Sequence, residues 1–420
     1  MADPEAKSAE RIRVSVGAPG KTLFKLLTDG RIRVCRSPQL IDPVPDWVVF
    51  PCSQDLAFLK HAHDLPWAAW LQAKGARARI LLDASGEGRL HSPEMTAELH
   101  RFAQSIGAAP GAVVYITQDR TYRDAYLSHH RLDAAAAPLR IVPYDYFIRR
   151  LFAEHDEGSE AAFAERLAAF RARPAHRSRR FISLNLTPRP TKVLFLLSLL
   201  RDGLWDQGYI SFGGFHRLKH TRRGDGMAQF HTRMRKAPGF RALSKSLIPT
   251  LSRLDELGEV LFGEILRHDA SGEILNDPIG DAALPEYADS WFTVTTESEM
   301  HDRPVRITEK PFKPLLNFHP LIVLGNPGSL TALRQLGFET FAGLFDEAYD
   351  DEPDPRKRFD LVYDEVKRLC AMDEGELARL EHAVSDRLIH NARWGMTGLP
   401  AIFREQIDVG LVDQILQPAA

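Results

Sequence analysis

Short runs of strand-forming residues alternate with helical patterns along this chain, and this alternation limits its fold more than any other feature of the sequence. In the first third, five apolar runs are typical of strands: RIRVSV (11–16), WVVFPC (47–52), RILLD (79–83), AVVYIT (112–117) and LRIVPY (139–144). Between two of them, residues 93–106 carry apolar side chains at the spacing of an amphipathic helix. Strands that alternate with helices build parallel sheets, so the sequence predicts the α/β fold class.

A second series of the same kind begins near residue 180. Its predicted strands are RFISLNL (180–186), YISF (209–212), WFTVTT (291–296) and LIVLG (321–325). The apolar run 191–200 predicts a buried helix, and further helices are expected from Thr308 to Phe318 and from Ser329 to Gly337. A chain of 420 residues is too long for one core. We therefore expect two similar α/β domains, followed by a C-terminal helical segment.

The basic segment RARPAHRSRR (171–180) separates the two series. It holds five Arg, one His and one Pro in ten positions, so we predict an interdomain linker. A nucleic-acid patch is the alternative, but such patches usually interleave aromatic side chains, which this segment lacks. The predicted divisions are an N-terminal domain (1–170), the linker, a C-terminal domain (181–357) and the helical segment (358–420).

Charge and cysteine content exclude several classes of protein. Lys and Arg total 54 against 56 Asp and Glu, so the chain lacks the overall basic excess of many nucleic-acid binders. Its three cysteines form no CxxC pair, which argues against a disulfide framework or a cysteine zinc site and favours a reducing compartment. The sequence starts without a signal-peptide pattern, and no apolar run reaches the length of a bilayer span. We expect a cytoplasmic protein.

Three polar motifs resemble binding sites but depart from them in spacing or context. GAPGKT (17–22) is two residues shorter than a Walker phosphate loop, so an ordinary turn is favoured. His216, His220 and His231 are candidate metal ligands, yet their many Arg and Lys neighbours favour a loop that contacts phosphate. The acidic run 346–354 resembles a DxD metal motif, but its prolines favour a solvated loop. No metal site is predicted.

The most informative polar residues follow two neighbouring strands of the second series. The strand at 291–296 runs into Glu297, the triplet Thr308-Glu309-Lys310 precedes the next predicted helix, and the strand after it ends in Gly325-Asn326-Pro327-Gly328. Ligands of parallel sheets bind at this edge. A helix N-terminus and Lys310 favour a diphosphate, and Glu309 offers two acceptors to a ribose diol. These residues predict a nucleotide-diphosphate pocket; the alternative is a helix capped by Thr308 with a surface Glu–Lys pair.

A second part of this pocket is predicted beside the strand at 180–186. The sequence SLNLTPRPTK (183–192) describes a strand, a short proline-bounded loop and the start of the buried helix. Arg189 and Lys192 are therefore presented at the carboxyl edge of the same domain, where either cation would meet a diphosphate. The alternative is that Arg189 only continues the basic linker.

One known family shares this arrangement. The donor site of the α1,3-fucosyltransferases and of related bacterial glycosyltransferase-like proteins resembles Glu297-Ser298, then Thr308-Glu309-Lys310 with Phe312 and Lys313, then a strand and Gly325. The resemblance implies the GT-B architecture, in which two Rossmann-like domains face each other and the C-terminal one holds the sugar nucleotide. It also implies that Glu309 meets the ribose, while Lys310 and Arg189 meet the diphosphate. Pro314 replaces the family's Asn, so the sugar and the base stay open.

The resemblance implies a glycosyltransferase that moves a sugar from a nucleotide diphosphate to a hydroxyl of a glycan or glycolipid, with inversion and without a metal or cofactor. A base is expected from the N-terminal domain. Glu87 lies between two glycines after the strand at 79–83, which makes it the first candidate, with Glu297 and Asp83 as competitors. The basic stretch 216–236 is a candidate contact for an anionic acceptor or the inner membrane face.

Two other functions are open at this point. A non-catalytic nucleotide- or glycan-binding protein of the same fold would bind the donor and transfer nothing. A nucleic-acid-binding protein would use the basic segments 171–180 and 216–236 and would bind oligonucleotides in a strongly salt-dependent way.

Overall fold

The protein is built of two compact units, each with its own parallel sheet. Unit 1 comprises Met1–Ala153 with Pro400–Ala420, and unit 2 comprises Glu154–Leu399. A computed structural model describes residues 12–16, 31–35, 45–52, 56, 58–62, 65–86, 90–134, 137–146, 148–149, 160–185, 187–215, 241–258, 260, 285–303 and 305–417. The predicted α/β class with parallel sheets is confirmed.

Unit 1 contains a six-stranded parallel sheet in the order β2-β1-β3-β4-β5-β6. The strands are β1 (Ile12–Val16), β2 (Ile32–Cys35), β3 (Trp47–Pro51), β4 (Arg79–Ala84), β5 (Val113–Thr117) and β6 (Leu139–Pro143). β4 and β5 are buried along their whole length. Helices cover both faces of such a sheet, which is why these central strands are continuous apolar runs instead of alternating ones.

The helices of unit 1 follow the predicted pattern. They are α1 (Leu59–Ala62), α2 (Trp67–Lys74), α3 (Pro93–Ser105) and α4 (Tyr122–His130). The hydroxyl of Ser92 accepts a hydrogen bond from the Met95 amide and so caps α3, with Pro93 at the first helical position. Leu99 and Phe102 on α3 are buried, as the amphipathic spacing predicts.

Unit 2 contains a four-stranded parallel sheet in the order β10-β9-β7-β8. Its strands are β7 (Phe181–Asn185), β8 (Gly208–Phe212), β9 (Phe292–Thr296) and β10 (Leu321–Leu324). Its helices are α5 (Glu160–Arg171), α6 (Pro190–Arg201), α7 (Arg241–Leu257), α8 (Pro285–Ala288), α9 (Phe312–Leu316), α10 (Ser329–Gln335), α11 (Pro355–Ala371), α12 (Glu374–Ala383) and α13 (Ser385–Arg393). The capping box at Asp373 and Glu376 starts α12, as expected.

The basic segment 171–180 lies inside unit 2, where six of its ten residues are exposed and Arg177 is buried. Arg177 is 5% exposed; it pairs with Glu381 on α12 at 2.6 Å and donates to the Ser290 carbonyl at 2.9 Å. Its guanidinium also lies 4.0 Å from the ring centroid of Trp291. Arg stems pack well against apolar surface when an acceptor meets the charged end, which the composition of the segment does not reveal.

The C-terminal helical segment is divided between the two units. After α13 the chain continues through α14 (Leu399–Ile402) to α15 (Asp408–Leu416), and residues from Pro400 onward belong to unit 1. There the buried Asp408 pairs with Arg149 at 2.9 Å. Nε of Arg79 on β4 donates to the Ile415 carbonyl at 2.8 Å, which satisfies part of the C-terminal end of α15. No helix in the described part of the chain has the length and apolar character needed to cross a membrane.

Candidate functional site

The strand order of unit 2 places a crevice between β7 and β9. The chain runs from β7 to β8 on one side and then returns to β9 on the other side of β7, and ligands of α/β sheets bind at such a reversal. Within the described residues, β7 pairs with β9 at Phe181–Phe292 and Ile182–Thr293, whereas it pairs with β8 at five positions up to Asn185. Beyond these two positions, no backbone pairing joins the described residues of β7 and β9.

Small buried polar side chains join β7 to β9 where the backbone pairing ends. Ser183 Oγ donates to the Val294 carbonyl at 2.9 Å and accepts from Asn185 Nδ2 at 2.9 Å. The hydroxyl of Thr296 donates to Asn185 Oδ1 at 2.5 Å. This network fixes the floor of the crevice. Sequence analysis missed it, because nothing in the spacing of these common residues marks them.

Four of the predicted site residues lie together beyond β9. Glu297 is 7% exposed; its Oε1 accepts from the Thr308 hydroxyl at 2.7 Å and its Oε2 lies 3.4 Å from Lys310 Nζ. Lys310 Nζ also lies 3.1 Å from Thr308 Oγ1 and 3.3 Å from Glu309 Oε1. An ammonium has three donor hydrogens, so three acceptors satisfy Lys310 and hold it in place.

Glu309 and Lys310 stay ionised at neutral pH because their opposite charges stabilise each other. Burial acts to raise the pKa of Glu309, but Lys310, a backbone hydrogen bond and Lys313 outweigh it and lower that pKa to about 2. Burial likewise acts to lower the pKa of Lys310, but Glu297 and Glu309 raise it above its ordinary value. The carboxylate of Glu309 is thus an acceptor throughout the physiological range.

Lys192 lies beside this cluster but has no acceptor of its own. It is 5% exposed, in the first turn of α6, and no described residue accepts a hydrogen bond from its ammonium or forms an ion pair with it. Burial and the charges of Lys310 and Arg189 lower the pKa of Lys192 to about 7, against the opposing effect of Glu297 and Glu309. A buried cation without a partner normally costs stability, so its presence indicates a site for an anion.

The N-terminus of α6 lies at the same edge of the sheet, because α6 follows the carboxyl end of β7 after a short loop. Arg189 is the N-cap residue, with an extended backbone, and no side chain of the described residues caps this twelve-residue helix. Pro190 has no N–H, and the backbone amides that follow lack acceptors within the helix. The positive end of the helix dipole therefore adds to the charge of Lys192, which makes this helix start a candidate anion site.

The helix predicted from Thr308 begins later, which moves the predicted phosphate contact. α9 spans Phe312–Leu316, because Pro311 disfavours the helical conformation for Lys310. Thr308 does not cap it; its hydroxyl donates to Glu297 and accepts from the Lys310 amide at 3.3 Å. A helix of five residues supplies little dipole. The helix start that faces the crevice is that of α6.

Gly325 lets the end of β10 approach the carboxylate cluster. A Cβ at this position would lie 2.9 Å from Cγ of Glu297, closer than side chains pack. The Glu297 backbone amide donates to the Leu324 carbonyl at 2.8 Å, which fixes the same junction. Any larger residue at Gly325 would push Glu297 away from Thr308 and Lys310.

Arg358 on α11 ties together the loops that surround the cluster. It is 1% exposed, and its Nε donates to the Gly325 carbonyl at 2.8 Å. Its two terminal nitrogens donate to the carbonyls of Glu352 and His301. The Gly325 carbonyl follows β10, the His301 carbonyl lies in the loop after β9, and the Glu352 carbonyl precedes α11. One side chain therefore fixes three segments. Sequence analysis missed Arg358, because an Arg in an amphipathic helix carries no signal of long-range contacts.

The acidic run 346–354 has a structural role at the start of α10. Asp350 Oδ1 accepts from the Leu330 amide at 2.9 Å and Oδ2 accepts from the Thr331 amide at 2.9 Å. Asp350 is 3% exposed, so a solvated loop is the wrong description of this residue. Asp350 of this run thus satisfies two backbone amides at the start of α10. Among the described residues, no group of three or more His, Cys, Asp or Glu is placed to hold a metal ion.

We expect Asp350→Ala to lower the free energy of unfolding by about 1–2 kcal/mol, the usual cost of losing a helix cap. The neighbouring Asp351 is exposed, and Asp351→Ala should change it by less than about 0.5 kcal/mol. Urea unfolding of both variants checks this. Equal losses in the two variants would contradict the capping role.

Some predicted site residues lie outside the described residues. They are Glu87, the stretch 216–236 with its three histidines, and GAPGKT (17–22). Asp83, the competing candidate base of unit 1, is the next-to-last residue of β4 and is 7% exposed. Its Oδ1 accepts from the amide and the hydroxyl of Ser85 at 3.2 and 2.5 Å.

Comparison of the chain with protein-family models, with curated proteins and with solved structures found no match.

Proposed function

We propose that the protein is a glycosyltransferase that binds a nucleotide diphosphate sugar in unit 2 and transfers the sugar to a hydroxyl of a glycan or glycolipid. The observation that carries the proposal is the position of Lys192. This residue is 5% exposed, its ammonium has no acceptor among the described residues, and it lies at the uncapped start of α6 and at the switch point of the sheet. A diphosphate supplies the acceptors that this arrangement lacks.

The roles within the site follow from which groups are already satisfied. Lys192, Arg189 and the amides of α6 meet the diphosphate. Glu309, ionised and held by Lys310 at 3.3 Å, accepts from the ribose hydroxyls. Both oxygens of Glu297 are engaged by Thr308 and Lys310. Glu297 therefore positions the cluster, and the base role is left to a carboxylate of unit 1, Glu87 or Asp83.

Transfer requires that negative charge leaving with the diphosphate be stabilised while a base takes the acceptor proton. Lys192, Arg189 and the positive end of α6 supply that stabilisation through fixed charges. The resemblance to the α1,3-fucosyltransferases supports the GT-B arrangement and inversion at the sugar carbon. Cys52 and Cys370 are buried and not in a disulfide, which favours a cytoplasmic location, with the stretch 216–236 as the contact to a membrane surface or an anionic acceptor.

Two alternative functions differ in how well they fit these residues. A non-catalytic nucleotide-binding protein of the same fold is the second candidate, since the engagement of both Glu297 oxygens removes one base from unit 2. A nucleic-acid-binding role is disfavoured, because Arg177 of the segment 171–180 is buried against Glu381 and is withdrawn from solvent.

A panel of nucleotides tests the proposal. Sugar nucleotides and nucleoside diphosphates should raise the melting temperature of the full chain, while nucleosides without phosphate should not. The 2′-deoxy forms should give smaller shifts than the ribo forms because of Glu309. Release of nucleoside diphosphate in the presence of glycan acceptors would separate an enzyme from a binding protein. A panel without any shift would overturn the proposal.

A further inference from the structure

Lys192 combines two properties that Lys310 and Lys367 do not combine. It has no acceptor among the described residues, whereas Lys310 nearby has three within 3.4 Å. It is also buried at 5% exposure, whereas Lys367 on α11, paired with Asp364, has a side chain that is 46% exposed. A desolvated lysine beside another cation loses its proton readily and becomes a nucleophile.

We propose that Lys192 is a reactive amine that forms an imine with small carbonyl compounds carrying an anionic group. The proposal rests on the anion-binding part of the proposed function and goes beyond it, since it assigns a covalent site. The uncapped N-terminus of α6 and the exposed Arg189 would hold the anionic group, and the amine one turn away would meet the carbonyl carbon.

Burial is the main cause that favours the neutral form of Lys192. Burial lowers the pKa of Lys192 most, and the charges of Lys310 and Arg189 lower it further. Glu297 and Glu309 act to raise this pKa, but both are paired with Lys310. The lone pair of the neutral amine attacks the carbonyl carbon, and the carbonyl oxygen takes up the proton that the nitrogen loses. The resulting carbinolamine expels one water and leaves the imine, with no change of oxidation state.

Glyoxylate, the smallest aldehyde with a carboxylate, is the probe. The full chain is treated at neutral pH with glyoxylate and cyanoborohydride, which reduces the imine to a carboxymethyl amine, and peptides are mapped by mass. We expect Lys192 to be modified at least about tenfold faster than Lys367. Acetaldehyde, which has no charge, should modify Lys192 more slowly than glyoxylate. Even labelling of the two lysines, or equal rates with both aldehydes, would overturn the proposal.

Two variants and one ligand complete the test. Lys192→Arg keeps the charge but not the nucleophile, and Lys192→Met keeps the length but not the charge; both should abolish labelling of this peptide. A nucleoside diphosphate should slow the labelling of Lys192. Labelling of Lys192 without any thermal shift by nucleotides would support this inference and contradict the nucleotide site. A thermal shift without labelling would do the reverse.

Discussion

Replacing Arg358 with Met is expected to lower the free energy of unfolding by about 3–5 kcal/mol, because it leaves three carbonyls without their donor inside unit 2. Those carbonyls belong to His301, Gly325 and Glu352. Since the first two flank the Glu297 cluster, nucleotide binding should weaken as well. Urea unfolding and nucleotide titration of the variant measure the two effects.

Arg356, two residues away on α11, supplies a matched control. Its side chain is 36% exposed and forms a surface pair with Asp360 at 2.9 Å. Arg356→Met should change stability by less than about 0.5 kcal/mol. A loss in the control as large as that in Arg358→Met would show that the helix, and not the buried clamp, accounts for the effect.

Lys192→Met is expected to act on binding and on stability in opposite directions. Loss of a charge-assisted hydrogen bond should weaken diphosphate binding by about 1.5–3 kcal/mol, roughly ten- to hundredfold. The same change removes a buried charge that no described residue accepts, so the free energy of unfolding at neutral pH should rise by at least about 1 kcal/mol. Titration calorimetry and urea unfolding give the two quantities.

The pH dependence of stability is a second test of whether the charge of Lys192 destabilises the folded protein. The pKa of Lys192 falls from its ordinary 10.5 to about 7 in the folded protein, so between these values the unfolded chain binds a proton that the folded chain lacks. The contribution of this group to stability therefore rises with pH across that window and is smallest below pH 7. Lys192→Met should lose this rise, and exposed Lys367→Met should keep it. A variant that is less stable at neutral pH and binds diphosphate normally would contradict the account.

Apolar runs made most of the sheets predictable. The runs at 79–83, 112–117 and 321–325 became β4, β5 and β10, because strands buried on both faces leave few alternatives for such segments. β2 (Ile32–Cys35) was not predicted, since it is a four-residue strand at the edge of the sheet with basic residues in it. Short edge strands have little burial to mark them.

The site was predictable where its residues follow a strand directly or start a buried helix. Glu297 and Lys192 are of this kind: Glu297 directly follows β9, and Lys192 is in the first turn of a helix whose residues 191–200 are all buried. The sequence could not predict that Lys310 is paired within the protein while Lys192 has no described acceptor, because this depends on which acceptors lie within reach in three dimensions. Arg358 and Asp350 were missed as supports for the same reason, since all of these partners except Glu352 are 19 to 57 residues away in sequence.

Proton uptake on binding tests the central claim, that Lys192 meets the diphosphate of a sugar nucleotide. The diphosphate of a sugar nucleotide is a diester that does not titrate near neutrality, so an uptake reports on the protein. Calorimetry in buffers of different ionisation enthalpy, with the sugar nucleotide that gives the largest thermal shift, measures it. We predict uptake of a fraction of a proton near pH 7, where Lys192 is about half protonated, and its loss in Lys192→Met. Binding of equal strength to both proteins, without any proton uptake in either, would contradict the account.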